Sequence, residues 1–374
     1  MSAADVANGA FFGSPGALAP SHEQFSSGLS IETDTVSHAT WAAVLAEFAD
    51  PHYEQTPSFI GGQRGERASH LLMRLGGVAV AGARVGIYTL PGWPRGLALI
   101  RLGPFWRQRD RPADPALYRT VVAALVDEYC VRRGHCLTIR PRPNPDFFDA
   151  ECAILEELGF AERRNIPAPE RYLVDTSLDE AAQMKSLEQK WRYNLRQALP
   201  HGFDIRLCET DADVATFHAL YERMASRKNF GHAGMFKATG ELMRLPESIR
   251  MRLVLASLDG KPLVGATVDV LGDTAYYVHG ASDDEALPLK AGYALQWWIL
   301  SWLRGMDARW YDLGGSLGNE GLRQFKKGLT GKRGATVSMR EFDYWAKPGG
   351  RVAGDLIYKL RDAKTRFEDW RRGR

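Results

Sequence analysis

The spacing of apolar residues alternates between the helical period and the strand period, with turn residues at the changes. Gly76-Gly77 separates two strand-like stretches and predicts a hairpin. Asp114-Pro115 offers a helix cap with a first-turn proline, and Gly134 is placed to end that helix. The first half is predicted to contain helices at residues 41–48, 115–133 and 146–158, and strands at 70–76, 78–90, 97–101, 136–140 and 171–175.

The second half repeats this order of elements. Gly134 and Gly305 stand at equivalent places in the two halves, 171 residues apart. We therefore expect an α/β fold with mixed sheets, in which two units of one architecture, residues 31–176 and 177–347, follow each other. The second half is predicted to contain helices at residues 178–198, 214–226, 235–245, 290–304 and 320–327, and strands at 203–207, 250–257, 262–270, 274–280, 309–313 and 335–342.

The two ends of the chain differ from the units between them. Residues 1–30 mix Gly, Ala, Ser and Pro without a basic start and an apolar stretch, which predicts a disordered leader and not a signal peptide. Residues 348–374 predict a basic helix, because Arg351 to Arg374 include eight Lys/Arg against four Asp/Glu, an excess of +4. We expect this helix to dock on the first unit, while contact with tRNA or an anionic membrane surface stays open.

The overall composition excludes several classes of protein. The 374 residues carry 48 Lys/Arg and 45 Asp/Glu, so the net charge of +3 identifies no partner. No apolar run approaches the roughly 18 residues of a membrane-spanning helix. The four cysteines form no C-x-x-C pair, which argues against a zinc ribbon or a disulfide framework. We expect a cytoplasmic protein whose contact with the inner membrane is at most peripheral.

Three familiar motifs are incomplete. Gly314-Gly315-Ser316-Leu317-Gly318 matches the nucleophile elbow of hydrolases, but the last histidine is His279, so no histidine follows the serine. Gly331-Lys332 lacks the Ser or Thr that a phosphate-binding loop requires. The nine histidines include no pair at metal-ligand spacing, so we expect no metal site.

Two clusters combine cations with aromatic side chains. One spans residues 185–206 and includes Trp191 and Tyr193. Cations neutralise phosphates while aromatic rings stack on bases, so both clusters suit a phosphorylated or nucleic-acid ligand. A solvated helix face explains the first cluster equally well. The second lies just past a predicted strand, where α/β sheets bind ligands, and consists of Arg323, Phe325, Lys326, Lys327, Lys332 and Arg333.

A series of short segments carries a family resemblance over residues 42–342. The segments are Gln55-Thr56-Pro57-Ser58-Phe59, Ile100-Arg101-Leu102-Gly103-Pro104, Leu137-Thr138-Ile139-Arg140-Pro141, Leu158-Gly159-Phe160, Lys190-Trp191-Arg192-Tyr193-Asn194-Leu195-Arg196-Gln197-Ala198, Ser226-Arg227-Lys228-Asn229-Phe230, Tyr277-Val278-His279-Gly280-Ala281-Ser282, Tyr311-Asp312-Leu313-Gly314-Gly315 and Gly321-Leu322-Arg323-Gln324-Phe325-Lys326-Lys327-Gly328. In order and spacing they resemble the Fem family of peptidoglycan interpeptide-bridge aminoacyltransferases, which are built from two tandem GNAT (acetyltransferase-like) domains.

This resemblance implies transfer of an amino acid from aminoacyl-tRNA to the amine of a cell-wall precursor peptide. Lys326 would then stabilise the tetrahedral oxyanion, with Phe325 beside it. Arg227 and Tyr277 match positions that contact the phosphates or sugar of the precursor, and a guanidinium is a natural bidentate partner of phosphate. Further candidate substrate contacts are Lys190, Arg192 and His279, the last of which is otherwise a structural residue of its strand.

Two other functions stay open for the same fold. GNAT acetyltransferases bind the pyrophosphate of acyl-CoA at a helix start patterned Q/R-x-x-G-x-G/A; Gly292 and Ala294 supply the G-x-A, while Leu289 occupies the Q/R position. The BioF2-like and CelD-like acetyltransferase branch of polysaccharide synthesis shares much of the second-half pattern. An inactive GNAT pair that serves as a binding module is the third reading. We expect no tightly bound cofactor, aminoacyl-tRNA or acyl-CoA as co-substrate, and no DNA partner.

Overall fold

The computed structural model describes residues 28–57, 59, 66–163, 170–228, 239–306, 308–316 and 318–371. Over these residues the chain forms two seven-stranded mixed sheets with helices packed against them, which confirms the predicted fold class. The strands are β1 Leu29–Thr33, β2 Arg67–Leu75, β3 Val78–Thr89, β4 Gly96–Arg101, β5 Cys136–Arg140, β6 Ala161–Arg163, β7 Glu170–Asp175, β8 Asp204–Cys208, β9 Met251–Leu258, β10 Lys261–Leu271, β11 Thr274–Ser282, β12 Trp310–Asp312, β13 Ala335–Ser338 and β14 Glu341–Tyr344.

The helices lie between these strands and after the last of them. They are α1 His38–Ala46, α2 Pro115–Leu125, α3 Phe148–Glu157, α4 Glu180–Ser186, α5 Gln189–Ala198, α6 Asp211–Lys228, α7 Thr239–Met243, α8 Ala291–Leu303, α9 Glu320–Thr330 and α10 Pro348–Arg371. Asp114 caps α2 by accepting a hydrogen bond from the Ala116 amide, as its sequence position predicts. None of the helices that the structure describes is both long and apolar enough to cross a membrane.

Both sheets follow one plan. The first has the order β1-β2-β3-β4-β5-β14-β6, and the second has the order β8-β9-β10-β11-β12-β7-β13. The fourth and fifth strands run parallel in each sheet, β4 beside β5 and β11 beside β12. The seven positions of one sheet are therefore filled by strands that correspond to those of the other, as the repeated element order in the sequence predicts.

The sixth place of each sheet is filled from the other half of the chain. β7 follows the strands of the first sheet directly, yet Leu173 pairs with Asp312 in the second sheet. β14 comes after the second sheet, yet Phe342 pairs with Ile139 in the first. Residues 335–342, predicted as one strand, therefore contribute to two strands in different sheets. The predicted division at residues 176 and 177 stays a prediction, and the two sheets exchange strands across it.

Asp273 joins the two halves through partly buried hydrogen bonds. Its carboxylate accepts from the Arg107 guanidinium at 2.7 Å, from the Arg142 guanidinium at 2.9 Å and from the Asn144 amide at 3.2 Å. Next to it, Gly272 has a φ of +74°, and a Cβ there would collide with the Ala49 backbone. The halves therefore meet closely, with a half-buried carboxylate of the second held between cations of the first.

Besides residues 335–342, three predicted segments differ from the observed elements. β1 begins at Leu29, inside the predicted leader, because its residues pair with β2; residues 1–27 lie outside the described part of the chain. The predicted helix at 178–198 is two helices, since Leu187 adopts ψ 145° between α4 and α5. Of the predicted helix at 235–245, the described part contains only α7.

Candidate functional site

A surface cleft of about 630 Å³ lies between α5, the start of α8 and α9. Three aromatic rings line it: the Tyr293 ring centroid lies 5.0 Å from that of Phe325 and 5.0 Å from that of Trp191. The Asn194 amide donates to the Tyr293 hydroxyl at 3.0 Å, which fixes this ring. The cleft therefore presents an aromatic wall that draws on three separate helices.

The rim of the cleft is charged and mainly basic. Lys190 and Lys327 are exposed there, together with Glu188. Arg323 also lines the cleft and is paired with Glu320 at 2.6 Å. An aromatic wall with cations at its edge suits a ligand that combines a planar ring with phosphates.

Gly328 allows α5 and α9 to approach each other. A Cβ at this position would lie 2.9 Å from Cδ1 of Trp191, closer than side chains tolerate. Trp191 is buried against α9, and its indole N–H has no acceptor among the described residues. The absence of a side chain at residue 328 therefore lets the largest ring of the cleft pack directly on the α9 backbone.

Lys326 follows Phe325 on α9 and points away from the cleft toward the end of β12. Its side chain is only 6% exposed, and Nζ donates to the Gly315 carbonyl oxygen at 2.7 Å. Nζ also lies 5.7 Å from the centroid of the Tyr277 ring. Gly314, with a φ of +72°, allows the tight turn that presents this carbonyl. The segment that resembles a nucleophile elbow, residues 314–318, thus provides the carbonyl that binds the Lys326 ammonium.

The surroundings of Lys326 set its charge. Burial lowers the pKa of its ammonium to about 8, the positive charge of Arg171 acts in the same direction, and Asp312 opposes both. Arg171 forms a bidentate ion pair with Asp312, at 3.0 and 2.8 Å to Oδ2. Lys326 is therefore a cation at neutral pH that loses its proton in mildly basic solution.

Tyr277 and His279 lie on β11. Burial raises the pKa of the Tyr277 hydroxyl to about 12 and lowers the pKa of the His279 imidazole to about 4, so both groups are neutral at pH 7. The His279 ring lies edge-on to Tyr221, with centroids 6.1 Å apart. Of these two residues, the structure places Tyr277 beside Lys326.

The two candidate arginines have intramolecular partners. Arg227 Nε lies 3.0 Å from Asp284, and its Nη2 donates to the Ser282 carbonyl at 3.2 Å. Arg192 Nη2 donates to the Leu187 carbonyl at 3.2 Å, at the junction of α4 and α5. Neither lines the aromatic cleft, whereas Lys190 does.

Gly292 and Ala294 lie in the first turn of α8. Three backbone amides at this helix start already have partners: Lys290 donates to Leu287, residue 291 to Ala286, and Tyr293 to Lys290, at 2.9–3.2 Å. Amides that bind a pyrophosphate must point at the ligand. Here they are turned into their own loop, so a bound pyrophosphate would have to displace these bonds.

Sequence reasoning did not select several residues that the structure brings together. Tyr293, Asn194 and the Arg171–Asp312 pair come from α8, α5, β7 and β12. The sequence signals for them were indirect: Asn194 and Asp312 stand in segments that carry the family resemblance, and Tyr293 is the aromatic residue next to Gly292. Over the described ranges, no group of three or more His, Cys, Asp or Glu residues is arranged to hold a metal ion.

Comparisons with known proteins agree with this architecture. A sequence model described as "Acetyltransferase (GNAT) domain" matches residues 182–327. The structure of FemX superposes with a TM-score of 0.67 at 16% identity, covering 86% of this chain and 99% of FemX. A search of the curated proteins gives no match.

Two further solved structures share the fold. The C-terminal DUF2156 domain assigned to a lysylphosphatidylglycerol synthetase of Agrobacterium fabrum gives a TM-score of 0.56 at 14% identity, covering 88% of this chain and 97% of that one. L-PGS of Bacillus licheniformis gives a TM-score of 0.50 at 12% identity, covering 85% of this chain and 94% of that one. At such identities the superpositions establish the fold.

The Fem-like tandem GNAT fold expected from the sequence is thus confirmed. The match to an acetyltransferase family also confirms the expected acyltransferase class of the second domain. Residues 182–327 match the model of a GNAT acetyltransferase domain, and the described chain as a whole has the fold of FemX.

Proposed function

We propose that this protein transfers an aminoacyl group from aminoacyl-tRNA to an amine, with Lys326 as the cation that stabilises the tetrahedral oxyanion. The position of Lys326 carries the proposal: its ammonium is buried at the end of β12, while the adjacent Phe325 lines an aromatic cleft. A lysine ammonium has three donors, and Gly315 takes one. A second donor directed at the ester carbonyl would act as a preformed oxyanion partner in a desolvated place.

The proposed chemistry balances without a further reagent. The acceptor nitrogen forms a bond with the ester carbon, and the carbonyl electrons move onto oxygen beside Lys326. When the carbonyl re-forms, the bond to the ribose oxygen breaks, and the proton lost by the amine passes to that oxygen. The pKa of Lys326, about 8, lets the residue act as a fixed cation at neutral pH without itself giving up a proton.

The cleft supports an RNA donor. Bases stack on aromatic rings whatever their sequence, and the half-buried Tyr293 and Phe325 provide two rings 5.0 Å apart, backed by the buried Trp191. Lys190, Arg323 and Lys327 surround these rings and would neutralise nearby phosphates. We therefore assign the cleft to the terminal nucleotides of the charged tRNA.

An acyl-CoA donor is the second candidate, because the matching family is described as an acetyltransferase. Three amides at the start of α8, those of Lys290, Ala291 and Tyr293, argue against it, since they already donate to residues 286–290. The bonded amides near Gly292 and Ala294 thus favour the tRNA donor.

For the acceptor we propose the amine of a cell-wall precursor peptide, which meets charged tRNA in the cytoplasm. Arg227 and Tyr277 remain the proposed contacts of this acceptor. His279, on β11 like Tyr277, and Arg192, on α5, are further candidates. Arg227 is paired with the 64% exposed Asp284, so a phosphate could replace that carboxylate at small cost.

A binding experiment tests the donor first. The purified chain is titrated with charged tRNA, uncharged tRNA and acetyl-CoA over a salt series, with thermal stability as a second measurement. We expect salt-sensitive binding of charged tRNA, followed by transfer to a lysine-containing precursor peptide. Stabilisation by acetyl-CoA alone would replace the proposal with CoA-dependent acylation, and binding of tRNA with no transfer to any amine would favour a binding module.

A further inference from the structure

The C-terminal helix α10 docks on the first sheet with one face only. Ala353 and Tyr358 are buried, and Tyr358 packs with Leu97 and Leu99 of β4. The guanidinium of Arg163 lies 3.8 Å from the centroid of the Tyr358 ring. This face anchors the helix on the first sheet and thereby fixes the direction in which its other side chains point.

The opposite face carries an exposed apolar stripe. Five of the thirteen large apolar side chains that are exposed in the described ranges lie on this one helix: Val352, Leu356, Leu360, Phe367 and Trp370, at 55, 38, 52, 56 and 72% exposure. At 100° per residue these positions fall within a sector of about 80°, and they extend over about 27 Å of helix. Scattered exposure is ordinary, but a continuous stripe of this length marks a contact surface.

Cations flank the stripe. On the helical wheel, Lys359 and Arg366 lie at one edge and Lys364 at the other, and all three are exposed. The final 24 residues carry an excess of four positive charges. The ring centroids of Phe367 and Trp370, at the distal end of the stripe, are 5.8 Å apart. Apolar residues bordered by lysine and arginine, with aromatic rings at the boundary, are typical of helices that lie in a membrane interface.

We propose that α10 attaches this protein to an anionic membrane surface, with the helix lying in the plane of the interface. A second copy of the chain fits the stripe poorly, because it would place one +4 tail against another. An RNA partner would match the cations and leave the apolar side chains in water. An anionic lipid surface satisfies both, since acyl chains accept the stripe and headgroups accept the cations. The attachment does not depend on which acyl donor the cleft binds.

Vesicle co-sedimentation of the full chain tests the attachment. The vesicles contain phosphatidylcholine alone or phosphatidylcholine with phosphatidylglycerol. We expect binding to the anionic vesicles that weakens with salt, and a loss of at least about tenfold in L360S/W370S, which alters only the exposed face. The matched control is I31S/V78S, in which two residues of similar exposure, 49 and 46%, change on the first sheet. Thermal melting verifies that both variants remain folded.

A charge variant and a mass measurement complete the test. K359E/R366E is expected to lose binding to anionic vesicles while keeping its melting temperature. Equal binding by wild type and L360S/W370S would overturn the proposal. Concentration-dependent dimerisation by light scattering that disappears in L360S/W370S would instead assign the stripe to a second copy. Loss of tRNA binding in K359E/R366E, with no vesicle binding by wild type, would assign the face to RNA.

Discussion

The two halves of the molecule share a strand order, but the equivalent helix carries a buried acid in the first half and a buried base in the second. The helix after the fifth strand is α3 in the first half and α9 in the second, and each buries one carboxyl or amino side chain. In α3 this is Glu151, which accepts a hydrogen bond from the Trp106 indole at 2.9 Å. In α9 it is Lys326, which donates to the Gly315 carbonyl at 2.7 Å, on the side away from the cleft that Phe325 lines.

The difference shows what turns a repeated fold into a site. Glu151 is buried on α3, where Phe148, Cys152 and Leu155 belong to the packed core of the first half. On α9 Lys326 is buried too, but the residue next to it lines a cleft, and its ammonium donates to the Gly315 carbonyl in a half-buried turn. The shared architecture alone therefore does not create the site; a buried cation next to a surface cleft does.

Removing the ammonium of Lys326 is expected to have the largest effect on transfer. We expect Lys326→Met, which keeps the shape of the side chain, to lower turnover at least about 100-fold in single-turnover transfer, the effect of losing an oxyanion partner. Its melting temperature should stay close to that of the wild type, because an uncharged chain replaces a buried cation. Lys261→Met, at an exposed lysine paired with Glu285, is the matched control. A similar loss of turnover in Glu151→Gln would remove the distinction between the halves.

The pH dependence of transfer should show the charge state of Lys326. Because the pKa of its ammonium is about 8, the cationic form prevails below that pH and is lost above it. We expect the rate of transfer to fall above about pH 8, approaching tenfold per pH unit. Lys326→Arg, which stays charged, should abolish this fall, while Glu151→Gln should keep it. A rate that continues to rise with pH, as deprotonation of the acceptor amine alone would cause, would contradict the role.

Replacing the aromatic ring of Phe325 in the cleft should affect binding of the donor more than the rate of the chemical step. We expect Phe325→Leu to weaken binding of charged tRNA roughly tenfold, the effect of losing one stacked base, with little change in turnover at saturation. Titration by fluorescence anisotropy measures the affinity. Phe203→Leu changes a half-buried phenylalanine of the same core outside the cleft and should leave the affinity unchanged. Equal affinity in both variants would show that the donor lies elsewhere.

The smallest effect concerns a buried carboxyl of the second half. Burial raises the pKa of Asp269 to about 7, and its Oδ2 has no partner in the described part of the chain. Because the folded pKa exceeds the unfolded value, the contribution of this group to stability is complete below about pH 4 and is lost as the pH rises to about 7. We expect Asp269→Asn to be more stable than wild type at pH 8 by about 1 kcal/mol or more, measured by urea unfolding.

Glu151, a buried carboxyl of the first half, provides the control. The pKa of Glu151 is also raised to about 7 by burial, but its carboxylate keeps the bond from Trp106. Glu151→Gln should therefore gain less stability at pH 8 than Asp269→Asn. An Asp269→Asn variant that loses stability at both pH 4 and pH 8 would mean that the carboxylate has a favourable charged partner.

Much of the fold follows from local pattern. The Gly76-Gly77 turn and the Asp114 cap form where the sequence predicts them, because each depends on neighbouring residues alone. The strand exchange could not be predicted, since the pairing of Phe342 with Ile139 joins residues two hundred positions apart. Within α4 and α5, a helical period runs through Leu187, and only the packing of both helices shows that the chain turns there.

The sequence by itself determined the element types and the two-unit plan, because periodicity is a local property, and the resemblance of its short segments to a known family implied the candidate pair Phe325 and Lys326. Only the tertiary structure decided that these neighbours face different environments, one a cleft and the other a buried turn. It also decided that Asp312 and Arg171 flank the lysine, since their strands meet through long-range pairing. Burial and the resulting pKa shift depend on such distant contacts, which no local pattern encodes.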